Sequence, residues 1–284
     1  MGQKAHFGDL SEEYSALQSA RVVIIPAPYD GTSTWIKGAD KGPAAIIEAS
    51  THMELYDIET DSEVYQKGIF TAESIDEQEL PEDMVMSVSE QVRHYLRYDK
   101  FVVVLGGEHS VSLGPVKAHV EKNADLTVLQ LDAHSDLRDE YEGSKYNHAC
   151  VMARIKELCP IVQVGIRSMD SSEKQSLDKN RVTFAGEITT NKNWVKNVLS
   201  KLSQNVYITI DLDVFDPSIM PSTGTPEPGG LLWYDVLGLM RTVFENFNVV
   251  GFDLVEMCPD EMNKAPDFLA AKLIYKLLSY KFRD

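Results

Sequence analysis

The stretch Val128-Leu-Gln-Leu-Asp-Ala-His-Ser-Asp136 constrains this chain more than any other. Val128, Leu129 and Leu131 read as the end of a buried strand, and Asp132, His134 and Asp136 follow at alternate positions. Residues two apart on an extended backbone point to the same side. Three metal-competent side chains are therefore expected to converge where a strand leaves its sheet, the edge at which open α/β sheets bind ligands. Taken alone, Asp-x-His-x-Asp also suits a helix N-cap or a turn cluster. The rest of the chain decides between the two.

Two further segments repeat the design. Phe101-Val-Val-Val-Leu105 is an uncharged apolar run broken by Gly106-Gly107 and followed by Glu108-His109-Ser110. Val206-Tyr-Ile-Thr-Ile210 is another, ending in Asp211-Leu-Asp213. Together they give six candidate ligands: His109, Asp132, His134, Asp136, Asp211 and Asp213. Six side chains exceed one closed tetrahedral zinc site. They suit two adjacent divalent ions that share carboxylates. An oxygen-rich donor set with two imidazoles is fairly hard, which favours two manganese ions over zinc.

Apolar runs alternate with amphipathic ones through most of the chain. Strands are expected at 21–25, 68–70, 101–105, 126–132, 161–166, 182–184, 206–210 and 249–255. Helices are expected at 43–49, 81–96, 112–122, 148–158, 194–202, 234–244 and 266–280. The proline- and glycine-rich stretch 214–230 reads as an irregular loop. This alternation predicts a three-layer α/β/α architecture with a largely parallel sheet covered on both faces. With no low-complexity linker or evident repeat, residues 1–284 are expected to form a single domain.

Formal net charge is −17, which argues against nucleic acid or an anionic membrane surface as partner and is compatible with a small cationic substrate. Three cysteines without metal-type spacing suggest a reducing compartment. Met1-Gly-Gln-Lys-Ala-His has no apolar signal-peptide core, and no run reaches membrane-spanning length, so a cytoplasmic protein is expected.

Two close divalent ions lower the pKa of a shared water, so the expected chemistry is metal-assisted hydrolysis without a Ser or Cys nucleophile. No Gly-x-Ser-x-Gly elbow or phosphate-binding glycine loop competes with that reading. Gly106-Gly107 is expected to let the chain turn sharply and present His109. His148, opening the segment after loop 137–147, is the candidate proton carrier, although a histidine at a helix start is commonly a surface residue. Glu256, at the end of strand 249–255, is placed to hold a planar cation through two hydrogen bonds, or is simply an exposed strand end.

These segments together resemble the ureohydrolase family, which includes arginase and agmatinase. The matching stretches are Leu105-Gly-Gly-Glu-His-Ser110, Leu131-Asp-Ala-His-Ser-Asp136, Ile210-Asp-Leu-Asp-Val214, Ser222-Thr-Gly-Thr-Pro-Glu-Pro-Gly-Gly230 and Val255-Glu256, with Pro28-Tyr-Asp-Gly-Thr32 and Gly42-Pro43 near the N-terminus. The resemblance implies an arginase-like fold and two manganese ions on the six candidates. It gives His148 the proton-transfer role and Glu256 the guanidinium-holding role, and it makes Thr225 and Asp216 supporting residues. Trimers or hexamers are implied as well. Loop 137–148 looks like the agmatinase version, in which Asp139, Glu140 and Glu142 would repel a substrate carboxylate and tolerate an amine.

The implied reaction is attack of a metal-bridging hydroxide on the guanidinium carbon of agmatine, releasing urea and putrescine. Ala149-Cys150 after His148, and Glu108 in place of the family's common aspartate, depart from the pattern. Both are expected to alter the pocket wall and to leave room for N1-aminopropylagmatine or guanidinobutyrate; arginine and formiminoglutamate are further alternatives. A single-metal deacetylase of related fold and a metal-stabilised non-enzyme are the remaining readings.

Overall fold

A computed structural model describes residues 6–283. The N-terminal segment read above for a targeting signal lies, except for His6, outside them. Eight strands form one sheet in the order β2-β1-β3-β8-β7-β4-β5-β6. They are β1 Val22–Ala27, β2 Ile69–Thr71, β3 Phe101–Gly106, β4 Leu126–Leu131, β5 Ile161–Ile166, β6 Val182–Phe184, β7 Asn205–Asp211 and β8 Asn248–Val255. Every pairing is parallel. The near-continuous apolar runs follow from that arrangement, because strands covered on both faces have no solvent side to alternate toward.

Odd and even residues of β1 and β3 enter different cores. Val22, Ile24, Val103 and Leu105 pack with helices Gly42–Ser50 and Ala265–Lys281. Val23, Ile25, Val102 and Val104 pack with helix Pro81–Leu96. That helix buries the stripe Met84, Val88, Val92, Tyr95 and Leu96, with Pro81 at its start, acids in its first turn and Arg93 and His94 in its last. Truncating fully buried Met84 to alanine would cost about 2–5 kcal/mol. Among the described residues no helix is long and apolar enough to cross a membrane.

The expected elements are present with ends unchanged or shifted by at most three residues, except in the segment after His148. There a 3-10 turn, His148–Cys150, precedes a short α-helix, Val151–Lys156, so the expected helix is split and ends early. Asn147 caps the turn by accepting from Ala149 N–H at 3.0 Å. The amides of Met152 and Ala153 both donate to the Asp136 carbonyl, at 3.1 and 3.2 Å. The helix thus begins on the metal-type motif rather than beside it.

β3, β8, β7 and β4 are neighbours in the sheet centre, so their carboxyl ends stand side by side. Gly107 follows β3 as the chain passes Tyr29 of the loop after β1. A Cβ on Gly107 would lie 1.9 Å from the Tyr29 carbonyl oxygen. Close approach of two backbones, rather than a left-handed turn, is what demands glycine there.

Candidate active site

Three of the four central strand ends, those of β3, β4 and β7, bring all six candidate ligands together. His109, Asp132 and Asp211 form one group with ligand atoms within 4.8 Å of one another, and Asp132, His134 and Asp213 form a second. Asp132 belongs to both. His109 Nδ1 lies 3.1 Å from Asp132, 3.0 Å from Asp136 and 3.4 Å from Asp211. His134 Nδ1 lies 2.7 Å from Asp213 and 3.8 Å from Asp132. Oxygen and nitrogen donors about 2.1 Å from a common ion are spaced in this range.

The ring of His109 has a defined orientation. Its Nε2 is 3.0 Å from Thr209 Oγ1, and that hydroxyl donates to Asp253 at 2.7 Å. Ser112 Oγ and Tyr207 OH also donate to Asp253, at 2.9 and 2.8 Å. With its hydrogen committed to Asp253, Thr209 can only accept from Nε2–H. Nδ1 then carries the lone pair and faces three carboxylates. It is buried without a hydrogen-bond partner. A lone pair aimed at acids is stable only around a cation, so the donor set fits divalent metal ions, and the Thr209–Asp253 pair supplies the outer contacts such a histidine uses.

Electrostatics agree. Burial and the charges of Asp136 and Asp213 push Asp132 up to about 7. Burial, with Asp213 and Asp132, also holds Asp211 well above the carboxylate range. Asp213 instead falls to about 2 against its burial, because His134 sits beside it and Ala133 N–H donates to it at 2.9 Å. Burial would lower His134, yet Asp213 and Asp132 raise it to about 11. The cluster holds more negative charge than its own groups neutralise.

Two turns at this edge are strained. Asp136 and Glu256 adopt φ of 52° and 63°, a region that side chains other than glycine rarely enter. Glu256 is anchored there from both sides: its N–H donates to the Gly107 carbonyl at 2.8 Å, and its Oε1 accepts from His109 N–H at 2.8 Å. Its carboxyl is pushed up by burial and by the charge of Glu108.

A cavity of about 300 Å³ opens over this edge. His134, Asp136, Asp211 and Glu256 form its floor, with His148, Tyr141, Thr225, Met169 and the 33–36 segment around it. Asp139 and Glu140 do not line it. Asp139 is 76% exposed and pairs with Arg154 at 2.6 Å and Lys145 at 3.4 Å; Glu140 is exposed. The loop returns to the cavity only at Tyr141, so the three acids expected to meet the substrate, exposed Glu142 included, face solvent. Asp216 organises the neighbouring loop, accepting from the amides of Ser218, Gly229 and Gly230.

The departures after His148 also land differently than expected. Ala149 does line the cavity, but Cys150 is buried away from it. Glu108 is fully buried behind His148 and is not pocket wall. It accepts from Ser110 N–H at 2.8 Å, Ser110 Oγ at 2.7 Å and Thr32 Oγ1 at 2.9 Å.

Supporting residues missing from the sequence reading lie one step outside the ligands. Gln163 Nε2 donates to Gln130 Oε1 at 2.6 Å, and Gln130 Nε2 donates to Asp132 at 2.7 Å. Glu173 accepts from Ser135 Oγ and Leu137 N–H, at 2.7 and 2.8 Å. Arg167 donates to the carbonyls of Asp213 and Glu227, at 2.6 and 2.9 Å. A polar residue inside an otherwise apolar strand was the available signal for Gln130, Gln163 and Asp253.

Comparison with known proteins gives a consistent result. The family model described as the arginase family matches residues 20–279. An N(1)-aminopropylagmatine ureohydrolase of Synechocystis sp. is 41% identical over 95% of this chain and 92% of its own length. An agmatinase of Pyrococcus horikoshii is 32% identical over 94% of each chain. The crystal structure of an agmatine ureohydrolase of Thermoplasma volcanium superposes with a TM-score of 0.90 at 31% identity, covering 100% of this chain and 96% of the other.

Proposed function

We propose a function from one premise: this chain belongs to the arginase family and is a ureohydrolase of its agmatinase branch. The proposed substrate is a guanidino-alkylamine, N1-aminopropylagmatine first and agmatine second, cleaved to urea and the corresponding polyamine. Relatives named for the longer substrate at 41% and 38% identity favour that order. The observation that carries the reading is the pair of ligand groups sharing Asp132 directly beneath a cavity whose floor also holds Glu256.

His109, Asp132, Asp136 and Asp211 would hold one manganese ion, and Asp132, His134 and Asp213 the second. When bound, the ions supply Lewis acidity and draw the pKa of a shared water toward neutrality. Glu256 binds the guanidinium through its carboxylate and, being fastened to His109 N–H, sets the cation's distance from the ligand cluster. His148, half-buried in the cavity wall, moves a proton between the cavity and solvent. Thr225 lies beside the bound substrate. The apolar rim of Trp35, Ile36 and Met169 accommodates an alkyl tail with few polar demands.

Urea release by the manganese-loaded protein from N1-aminopropylagmatine, agmatine, guanidinobutyrate and arginine tests this. The expected order of kcat/KM is aminopropylagmatine, agmatine, then the two acids at least about 100-fold lower, because carboxyl groups (Asp136, Asp170, Glu173, Asp211 and Glu256) outnumber the one guanidinium, Arg138, along the cavity. A preference for arginine would overturn the substrate assignment. Failure to release urea from every compound would overturn the activity. A deacetylase needs one ion, so two manganese per chain by elemental analysis also separates those readings.

A further inference from the structure

We propose that Thr32 and Glu108 are positioning residues that hold His148 as the Nδ1–H tautomer, leaving Nε2 as the proton-accepting nitrogen in the cavity. This rests on the assignment of His148 as the proton carrier. Thr32 Oγ1 is 2.9 Å from Glu108 Oε1, 2.9 Å from the His148 amide nitrogen and 3.2 Å from His148 Nδ1.

A hydroxyl has one hydrogen to give and two lone pairs to offer. Glu108 is met by donors on both oxygens: Ser110 N–H on Oε2, and the Ser110 and Thr32 hydroxyls on Oε1. It acts as an acceptor throughout, so the Thr32 hydrogen goes to Glu108. The two lone pairs of Thr32 then receive His148 N–H and His148 Nδ1–H. One residue thus fastens both the backbone and the ring of His148, and the buried carboxylate behind it makes the hydroxyl a better acceptor. Glu108 Oε1 is the atom that reaches Thr32, across 76 residues of chain.

Two measurements test the proposal. Neutron diffraction from crystals of the manganese-loaded wild-type protein, at a pH above the imidazole range, reads the tautomer without any substitution. A deuteron on Nδ1 facing Thr32, with the Thr32 deuteron facing Glu108, is the expected result; a deuteron on Nε2 with Nδ1 bare would overturn the proposal. Kinetics supply the second. Thr32→Val is expected to lower kcat about 10- to 100-fold while KM and manganese content stay within about twofold, and Thr32→Ser is expected to recover most of the loss.

In a His148→Ala background, Thr32→Val should cost little more. An equal factor in both backgrounds would show that Thr32 does not act through His148. If His148→Ala alone keeps the wild-type rate, it is the proton-carrier assignment that fails, and the neutron result still judges the tautomer.

Discussion

Behind His109 and behind His148 stands the same series of groups, a threonine hydroxyl followed by a buried carboxylate, yet the rings attach to it through different nitrogens. His109 uses Nε2, with Thr209 and Asp253 behind it, and turns Nδ1 toward three acids. His148 uses Nδ1, with Thr32 and Glu108 behind it, and lines an open cavity. The bare nitrogen of one ring meets fixed negative charge and suits a cation; that of the other meets space and suits a mobile proton. A third imidazole, His119, has neither arrangement: both nitrogens are buried without a hydrogen-bond partner. The partner a ring is given, more than its depth, decides its use.

The largest effect should come from exchanging the two roles. His109→Ala is expected to remove bound manganese and at least about 1,000-fold of the activity, whereas His148→Ala should lose about 100- to 10,000-fold in kcat with manganese retained. Elemental analysis beside steady-state kinetics separates them, and equal metal loss in both variants would break the contrast.

One step back from the ring, Thr209→Val should weaken manganese affinity about 10- to 100-fold, read by titration calorimetry. Thr32→Val should leave that affinity unchanged. A comparable weakening in both would mean that the two threonines serve one structural purpose.

His119 sharpens the comparison through pH. Burial, with a smaller contribution from the charge of Lys122, lowers it from 6.5 to about 3. Because the folded value is the depressed one, the unfolded chain takes the proton first as pH falls. The stability His119 contributes is complete above about 6.5 and is lost progressively toward about 3, at about 1.4 kcal/mol per unit. Urea denaturation should therefore lose about 2 kcal/mol between pH 6.5 and 5 on this account, and His119→Leu should flatten that part of the curve. An unchanged slope in the variant would show that His119 is not the group responsible.

The smallest effect is expected at Asp139. Its carboxylate is exposed and tied to Arg154, so Asp139→Asn should change kcat/KM by less than about threefold. A larger fall in kcat/KM for an amine substrate, with none for an alkylguanidine that lacks the terminal amine, would return this acid to the substrate path.

The ligands were legible because strand geometry is local. Alternation at the ends of β4 and β7 needs only a run of apolar residues to set its phase, and the parallel sheet then aligns those ends with that of β3. Gln130 and Gln163 stood out as polar residues in apolar strands, but their pairing was not legible, because it depends on β4 and β5 being neighbours in one register, which places Gln130 opposite Gln163. Thr32 was hidden for the same reason: 76 residues separate it from Glu108 and 116 from His148. Asp139 and Glu140 misled in the opposite direction. They follow the second motif closely in sequence, but the chain turns outward after Arg138 and its charges find Arg154 and water.

The bare crossing of Gly107 over Tyr29 reaches further than its own turn. Any side chain at 107 would prise the first loop from the third strand's end, and Thr32 travels with that loop. Diversification of the mouth is thereby channelled: residues 33–36 lie past the crossing and line the cavity, while Thr32 is tied to His148, the proposed proton carrier. A lineage of such enzymes can alter its diet at the rim without relearning its chemistry, provided that one position stays empty.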